Sequence, residues 1–319
     1  AVDISGDTAL VSAHMDDDKG DKSGSAYIFT KSASGTWTQT AKLTASDGAA
    51  DDQFGWSVSL SGNRALIGAR EADAPGTNSG AVYVFDRDAA GNWTQSAKLT
   101  ATDGAANNRF GHRVSLSGDT ALIATETNIE KVYIFNRASN GSWSQTVKLV
   151  PSDGTGTDFG HDVSLSGDTA VVGAIRHVSD GIQRGAAYVF KYNGSTWNEV
   201  KILTPTAAGG SALVGESVSV SDDLIVVGAP SNVSSGDVFV FQNNSPGYNQ
   251  LTKISHPNDT TSINSANAGF GSSVSVSGLN ILVGAVNDSG YASNAGAAYI
   301  FDLVKVFKED ENCLWWKDR

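Results

Sequence analysis

The sequence predicts an all-β protein, a β-propeller of four-stranded antiparallel sheets, with six sheets favoured and seven also compatible. Three observations support this: a repeat that occurs six times, strand-like segments within each repeat, and turn residues between the segments. The first valines of the repeats lie 49 to 56 residues apart, at Val2, Val58, Val114, Val163, Val218 and Val274. A β-solenoid is disfavoured because its repeats are usually shorter, at about 20 to 30 residues.

Each repeat contains four strand-like segments in a constant order. They are rich in Val, Ile, Leu, Tyr and Phe and are bounded by Gly, Asp, Asn and Ser, as strands are. In the second repeat they cover residues 58–62, 65–69, 82–85 and 93–99. One such sheet cannot bury both faces alone, so neighbouring sheets must stack. We expect the second and third segments to pair in every copy, with Tyr83 and Phe85 packed against the next sheet.

Aromatic residues recur at fixed positions of the third and fourth segments. Residues that are two positions apart on a strand lie on the same face of the sheet. We therefore predict that the following aromatic pairs of the third segment lie in the core: Tyr27/Phe29, Tyr83/Phe85, Tyr133/Phe135, Tyr188/Phe190, Phe239/Phe241 and Tyr299/Phe301. The fourth segment carries Trp37, Trp93, Trp143 and Trp197, with Tyr248 in the fifth copy. Their constant position favours packing between sheets over sugar stacking.

Two short motifs resemble those of the FG-GAP repeat family, which includes the propellers of integrin α-chains. The first is Phe-Gly at Phe54-Gly55, Phe110-Gly111, Phe159-Gly160 and Phe270-Gly271, weakened to Val214-Gly215. The second is Gly-Ala at Gly68-Ala69, Gly173-Ala174, Gly228-Ala229 and Gly284-Ala285. The resemblance covers residues 1–302 and implies one propeller domain over 1–307, with repeats starting near 1, 54, 110, 159, 214 and 270. Residues 308–319 form an atypical tail.

Composition limits the possible partners. The formal charge is −12, only 18% of residues are charged, and there is no basic stripe, which disfavours nucleic acid as a partner. No apolar run approaches the roughly 18 residues that a membrane helix needs, and no signal peptide is visible. The single cysteine, Cys313, lies in the tail, so we expect neither a disulfide in the propeller nor a structural zinc site.

The position directly after Phe-Gly is the first candidate for binding. It carries Trp56, His112, His161 and Glu216 in four of the copies. Equivalent positions of a propeller converge on one face, and this mixture of aromatic and polar side chains is typical of a recognition surface. The alternative interpretation is that they are exposed loop residues without a shared role.

Calcium is the cofactor that the family resemblance suggests, but this chain departs from the family's calcium loop. The connections where that loop would lie are as short as Ser61-Gly62-Asn63, which indicates tight hairpin turns. Asp16, Asp18 and Asp21 instead place carboxylates close together, so they are the candidate Ca²⁺ ligands. A second acidic set, before Phe54, is Asp47, Asp51 and Asp52. Solvated loops are the alternative for both sets.

The tail and the sequons give further candidates. Leu314, Trp315 and Trp316 are predicted to dock a partner, and residues 303–307 are predicted to complete the last sheet. Asn-X-Ser/Thr sequons, potential glycosylation sites, stand at Asn92, Asn140, Asn193, Asn232, Asn243, Asn258 and Asn287. They are compatible with the secretory pathway, although a chain rich in Ser and Thr acquires several by chance.

The function that these features favour is a non-catalytic binding or adhesion module, extracellular or at the cell surface, that recognises a protein or a glycan through propeller loops. An organellar lumen or the periplasm is the alternative location. Two other functions stay open: a structural subunit of a larger assembly, and a hydrolase or lyase acting on a polysaccharide or phospholipid. The enzyme is the least favoured because the sequence contains no nucleophile motif, phosphate loop or Cys/His couple.

Overall fold

The computed structural model describes residues 1–126, 131–154, 157–206, 208–231, 235–244, 247–257, 268–289 and 295–304. Those residues form an all-β structure and confirm the predicted β-propeller fold class. In the described part of the chain, no helix is both long and apolar enough to cross a membrane.

Twenty-five strands are described. The first twelve are β1 (Val2–Ser5), β2 (Thr8–Ala13), β3 (Ser25–Lys31), β4 (Trp37–Leu43), β5 (Phe54–Ser61), β6 (Arg64–Ala69), β7 (Ala81–Arg87), β8 (Trp93–Leu99), β9 (Arg113–Ser117), β10 (Thr120–Ala124), β11 (Val132–Arg137) and β12 (Trp143–Leu149). The others are β13 (Phe159–Ser166), β14 (Thr169–Ala174), β15 (Val178–Ser179), β16 (Ile182–Gln183), β17 (Ala186–Tyr192), β18 (Trp197–Leu203), β19 (Val218–Ser221), β20 (Leu224–Ala229), β21 (Asp237–Asn244), β22 (Gly247–Ser255), β23 (Phe270–Ser277), β24 (Asn280–Ala285) and β25 (Ala297–Asp302).

Each repeat forms one sheet, and the sheets are numbered here in chain order. Sheets 1, 2, 3 and 5 are β1–β4, β5–β8, β9–β12 and β19–β22; sheet 4 is β13-β14-β17-β18, with the small hairpin β15-β16 inserted. Sheet 6 has three strands, β23-β24-β25, within the described residues. The predicted pairing of the second and third segments is confirmed, for example between Leu66 and Val84. The predicted strand over residues 303–307 is wrong where it is described, because Leu303 and Val304 begin a helical turn directly after β25, and residues 305–307 lie outside the described part.

The chain divides into two compact units, Ala1–Ala170 and Val171–Arg319. In the first unit, Leu66 and Val84 of sheet 2 pack with Phe110 and Val114, at the start of sheet 3. In the second unit, Val226 and Val240 of sheet 5 belong to one cluster with Ile281 and Val283 of sheet 6. Consecutive sheets therefore bury the apolar side chains between them, with a similar register in both units.

The prediction that Tyr83 and Phe85 pack against the next sheet is wrong. Tyr83 and Phe85 belong to the cluster that contains Leu10 and Ile28 of sheet 1, so they pack against the preceding sheet and not the next one. The reason is strand alternation: neighbouring residues point to opposite faces, and Val84 is the residue that faces sheet 3. We call the face that carries Leu66 and Val84 the forward face, and the face that carries Tyr83 and Phe85 the back face.

Side chains of the first strand also link consecutive sheets by hydrogen bonds. The Asp3 carboxylate accepts from the Leu60 backbone N–H at 2.6 Å, and Ser59 Oγ accepts from the Leu116 N–H at 3.0 Å. In the second unit, Ser219 Oγ accepts from the Val276 N–H at 3.0 Å. Backbone groups that would otherwise be buried without a partner are satisfied in this way.

The Gly-Ala motif has a steric reason. A Cβ atom on Gly68 would lie 2.2 Å from the Gly111 carbonyl oxygen, which is too close for any other residue. The equivalent Gly228 would meet the Gly271 oxygen at 2.0 Å. The second strand of one sheet and the Phe-Gly turn of the next thus approach more closely than a side chain permits.

Candidate functional site

The loop before each Phe-Gly element has a repeated shape that positions the residue after it. Gln53, Arg109, Asp158 and Leu213 all have positive φ, between 52° and 57°, which is uncommon for residues other than glycine. The Phe54 N–H donates to the Ser23 oxygen at 3.0 Å, and the Phe110 N–H donates to the Ser79 oxygen at 2.8 Å. These hydrogen bonds hold the loop against residues that precede the third strand of the preceding sheet. The residue after Phe-Gly therefore has a defined position.

Two of the four predicted binding residues come together in the first unit. The rings of Trp56 and His112 are stacked, with centroids 6.2 Å apart and an angle of 29° between their planes. His14 meets the edge of Trp56 at a centroid distance of 5.0 Å. The guanidinium of Arg70 lies over the indole, 3.2 Å from its centroid, which is a close cation-π contact.

Arg70 also belongs to a network of ion pairs. Its Nη1 donates to Glu126 Oε2 at 2.8 Å, and Arg109 Nη1 donates to the same oxygen at 3.2 Å. Arg109 Nε lies 3.0 Å from Glu71 Oε1. His112 Nδ1 is 3.6 Å from Glu126 Oε2. The residues of this network, here called the Trp56 cluster, are Trp56, Arg70, Glu71, Arg109, His112 and Glu126.

Two ring nitrogens of the Trp56 cluster are buried without a hydrogen-bond partner, Trp56 Nε1 and His112 Nδ1. Burial is the main cause that lowers the pKa of His112 to about 3, and the positive charges of Arg113, Arg70, His161 and Arg109 lower it further. The imidazole is therefore neutral at pH 7. Burial also lowers the pKa of Arg70, whose pairing with Glu126 and Glu71 opposes that effect.

The other two predicted binding residues have different surroundings. His161 lies near enough to His112 for its charge to affect the pKa of that ring. Glu216 belongs to the second unit and is half-buried, with its backbone N–H bonded to the Leu213 oxygen at 3.1 Å.

Sequence reasoning missed Arg70, Glu71, Arg109 and Glu126. Their positions carried a signal: Arg70 directly follows the Gly-Ala motif, and Arg109 directly precedes Phe-Gly. Both motifs place their flanking residues at strand ends, where loops present polar groups.

The three candidate calcium ligands contact cations of the protein itself. Lys42 Nζ lies 3.1 Å from Asp16 Oδ2 and also contacts Asp18. Asp16 Oδ2 accepts hydrogen bonds from Ser25 Oγ at 2.6 Å and Tyr27 OH at 2.8 Å, and these bonds are the main cause that lowers its pKa. Asp21 lies 3.8 Å from Lys22 Nζ. A protein ammonium group thus lies where the first two carboxylates converge.

Two members of the second acidic set, Asp47 and Asp52, stabilise the loop between β4 and β5. Asp47 Oδ2 pairs with Lys98 Nζ at 2.7 Å, and Asp52 Oδ2 accepts from the Ala49 N–H at 2.8 Å. In the next repeat, Asp103 accepts from Tyr133 OH at 2.7 Å and Lys148 Nζ at 2.8 Å. In both repeats the carboxylate of the Asp-Gly turn thus pairs with a lysine of the following sheet, and Asp103 also binds a tyrosine.

No group of three or more His, Cys, Asp and Glu side chains that could hold a metal ion occurs among the residues that the structure describes. Calcium binding by Asp16, Asp18 and Asp21 stays a prediction.

Three of the sequons lie on equivalent exposed hairpins between the third and fourth strands, at Asn92, Asn140 and Asn193. Asn140 Oδ1 accepts from the Ser142 N–H at 3.0 Å. Asn243 is half-buried at the end of β21, and Asn287 is exposed after β24. Asn232, Asn258 and the tail residues Leu314, Trp315 and Trp316 lie outside the described residues.

Comparison with known proteins establishes the family. The FG-GAP repeat model matches six segments, residues 1–29, 37–85, 93–135, 143–190, 197–241 and 260–301, which together make up most of the chain. The chain belongs to the FG-GAP repeat family. No curated protein has a matching sequence. A crystal structure of a protein from Lactobacillus plantarum matches with 16% identity over 78% of this chain and 68% of that one, at a TM-score of 0.46.

Membership of this family and the propeller fold support a binding module in general.

Proposed function

We propose that this FG-GAP protein is a non-catalytic, extracellular or cell-surface recognition module that binds a protein ligand through the Trp56 cluster. The observation that carries the proposal is the pair of oppositely charged, partly exposed groups Arg109 and Glu126, which present a donor and an acceptor to solvent beside the rings of Trp56 and His112. A polypeptide offers the carbonyl and carboxylate acceptors and the N–H donors that such a mixed cluster would bind.

A protein ligand is favoured over a glycan because the indole is already covered. Sugars bind tryptophan by stacking on its ring, and here Arg70 occupies one face while His14 and His112 crowd the ring. Tryptophan and arginine are also the side chains most enriched among the residues that dominate protein–protein binding energy.

Catalysis is disfavoured by the acid–base properties of the cluster. An effective general base has a pKa near the working pH. Burial lowers the pKa of His112 to about 3, so the imidazole is a weak base at pH 7. The carboxylate of Glu126 is held by two arginines, which reduces its availability as a base.

The test is selection of peptides from a displayed library on the immobilised protein, followed by calorimetry with a selected peptide. Trp56→Phe removes the indole N–H and weakens the arginine contact, so we expect binding to weaken at least tenfold. The matched control is Trp93→Phe, because Trp93 Nε1 is also buried without a partner but lies on the hairpin of sheet 2.

Equal binding by wild type and Trp56→Phe would contradict the proposal, as would equal weakening by both substitutions. A glycan array probed with the same proteins supplies the second arm, in which binding that survives Trp56→Phe would identify a different, sugar-binding site. Cleavage of any captured ligand over time would favour an enzyme.

A structural subunit is the second candidate. It is favoured by exposed apolar side chains on the small hairpin β15-β16 of the second unit, where Val178 and Ile182 lie at the surface.

A further inference from the structure

A charged cleft of about 420 Å³ lies between sheets 2 and 3. It is formed by the turn between the first and second strands and by the end of the third strand of both sheets. All of its lining residues belong to the first unit. We call it the arginine cleft, and the residues that matter for its chemistry are Asn63, Arg64, Asp86, Arg87, Asp119 and Arg137.

Arg64 links the two sheets and binds both aspartates of the arginine cleft. Its Nε donates to Asp86 Oδ1 at 2.7 Å, and its Nη1 donates to Asp119 Oδ1 at 2.7 Å. The same Nη1 donates to the Gly118 carbonyl oxygen at 3.0 Å, and the guanidinium lies over the Trp143 ring, 5.5 Å from its centroid. Arg64 is therefore held by groups of both sheets and has its own acidic partners.

Arg87 and Arg137 occupy the same position in sheets 2 and 3, but only Arg137 has an aspartate opposite it. The Arg137 N–H donates to the Asp119 oxygen at 2.9 Å, and the Arg87 N–H donates to the Asn63 oxygen at 2.8 Å. The Asp119 carboxylate also lies 3.8 Å from Arg137 Nη1. Because Asn63 has no negative charge, the equivalent ion pair cannot form in sheet 2. Among the residues that the structure describes, no carboxylate pairs with the Arg87 guanidinium.

The acidic residues on either side of Arg87 in the sequence have other partners. Asp86 binds Arg64, and Asp88 accepts from the Asn92 N–H at 2.8 Å and from Asn92 Nδ2 at 3.1 Å. The Arg87 side chain itself is half-buried. A guanidinium carries five N–H donors, and donors that burial withdraws from water need acceptors. An acidic group from outside the chain would provide them.

We propose that the arginine cleft binds a ligand through one carboxylate group, with Arg87 as the principal donor and Arg137 as the second. The cleft contains three arginines and two aspartates, so its lining has a net charge of +1, which matches a group with a single negative charge. The two oxygens of a carboxylate also fit the parallel N–H donors of a guanidinium.

The charges of the cleft disfavour a phosphate. A phosphate monoester carries about −1.5 to −2 at pH 7, and Asp86 and Asp119 would repel the additional charge. The volume of about 420 Å³ suits a small molecule or a single residue of a polymer. The carboxylate can thus belong to an acidic sugar or to an acidic side chain.

The test is a titration of isotope-labelled protein, in which the Nε–H signals of the arginines are followed by nuclear magnetic resonance at constant ionic strength. We expect the Arg87 and Arg137 signals to shift and saturate with sodium acetate. Glucuronate and N-acetylglutamate amide distinguish the two sources of the carboxylate, since the tighter of them identifies the ligand class. Shifts that never saturate, or that sodium chloride reproduces, would show screening alone and contradict the proposal. Tighter binding of inorganic phosphate or methyl sulfate than of acetate would also contradict it.

The sharpest variant is Asn63→Asp, which supplies the missing carboxylate from within the chain. It should pair with Arg87 as Asp119 pairs with Arg137, so we expect acetate binding to weaken at least tenfold. Arg87→Gln removes the donor and should weaken binding to the same extent, as followed on the Arg137 signal. Backbone amide spectra show whether each variant keeps the fold.

Lys31→Gln is the matched control. Lys31 occupies the position of Arg87 in sheet 1, where its N–H donates to the Asp7 oxygen at 2.8 Å, and the variant should bind acetate like wild type. Equal weakening by Lys31→Gln and Arg87→Gln would show that net charge alone decides, and unchanged binding in Asn63→Asp would show that Arg87 is not the donor. Either result would overturn the proposal.

The arginine cleft and the Trp56 cluster are separate sites. The cleft lies where Ser61 pairs with Arg64, whereas the cluster lies at the other end of the same two strands, where Phe54 pairs with Ala69. We therefore expect Trp56→Phe to leave acetate binding unchanged. Failure of the peptide experiment would not affect the cleft, and failure of the acetate titration would not affect the cluster.

Discussion

Sheets 2 and 6 have nearly the same pattern of residues but very different surroundings. Leu66 and Leu282 occupy the same register of the second strand, yet the first is fully buried and the second is 45% exposed. Gly68 and Gly284 also correspond, but only Gly68 lies against backbone of a following sheet. The comparison shows that a repeat specifies a sheet, whereas the neighbouring sheet decides what each position contributes to stability.

Substitution of the equivalent glycines should give the largest difference in the free energy of unfolding between sheets 2 and 6. Gly68→Ala would place Cβ 2.2 Å from the Gly111 carbonyl oxygen, so we expect a loss of about 4 kcal/mol or failure to fold. At Gly284 the closest atom is the rotatable Ser273 Oγ, at 2.3 Å, so Gly284→Ala should cost less than about 1 kcal/mol. Urea unfolding followed by circular dichroism measures both. Similar losses would show that the backbone of the following sheet is not the cause.

Truncation of equivalent leucines is the second test of the difference between sheets 2 and 6. Leu66→Ala removes a fully buried side chain and should cost about 3 kcal/mol, since a cavity remains. Leu282→Ala should cost less than about 1 kcal/mol, because that side chain is 45% exposed. Urea midpoints give the comparison. Equal losses for Leu282→Ala and Leu66→Ala would contradict the expected difference between an exposed and a buried position.

The pH dependence of stability should distinguish the positions after Phe-Gly. His112 has a pKa of about 3 in the folded protein and 6.5 in the unfolded chain. Between these values only the unfolded chain binds the proton, so the stability that depends on this group falls as the pH falls from 7 towards 3. The loss at pH 5 should be about 2 kcal/mol.

His112→Ser makes this position of sheet 3 match Ser272 of sheet 6 and should flatten the curve of thermal midpoint against pH between 7 and 5. Neighbouring groups that titrate or carry charge are Arg70, Arg109, Arg113, Glu126 and His161. Carboxylates with lowered pKa, such as Asp103, contribute only at lower pH. An unchanged slope in His112→Ser would mean that another group causes the acid sensitivity.

Removal of a tyrosine hydroxyl should give the smallest effect. Tyr133 OH donates to Asp103 at 2.7 Å on a completely buried ring, whereas Tyr27 OH donates to Asp16 at 2.8 Å on the half-buried face of sheet 1. We expect Tyr133→Phe to cost about 1 kcal/mol and Tyr27→Phe about half of that. Thermal midpoints measure both, and the reverse order would show that exposure does not weaken the bond.

Much of the fold could be predicted because the strand residues, turns and spacing agree in every copy. The pairing of the second and third segments and the tight turns follow from local sequence. The packing direction of Tyr83 and Phe85 did not follow, because alternation places two residues on one face without indicating which neighbouring sheet that face meets.

The candidate site was predictable only in part. Trp56 and His112 were found because they share a register after Phe-Gly. Arg70 and Glu126 follow the second strands of sheets 2 and 3, and only packing of those sheets brings their side chains to a distance of 2.8 Å. Similarly, the sequence predicts a cation site at Asp16 and Asp18. In the structure both contact the ammonium group of Lys42, which lies on a strand more than twenty residues further along the chain.

The sequence by itself determined the family, the β-propeller class and the strands of each repeat, because these depend on local patterns that recur along the chain. Tertiary structure alone decided which faces are buried, which charges pair in the Trp56 cluster and where the Asp16 carboxylate finds its partners. Those properties depend on distances between residues that are remote in the sequence. A repeat carries the same pattern into every sheet, but the energy of each side chain depends on the sheet that lies against it.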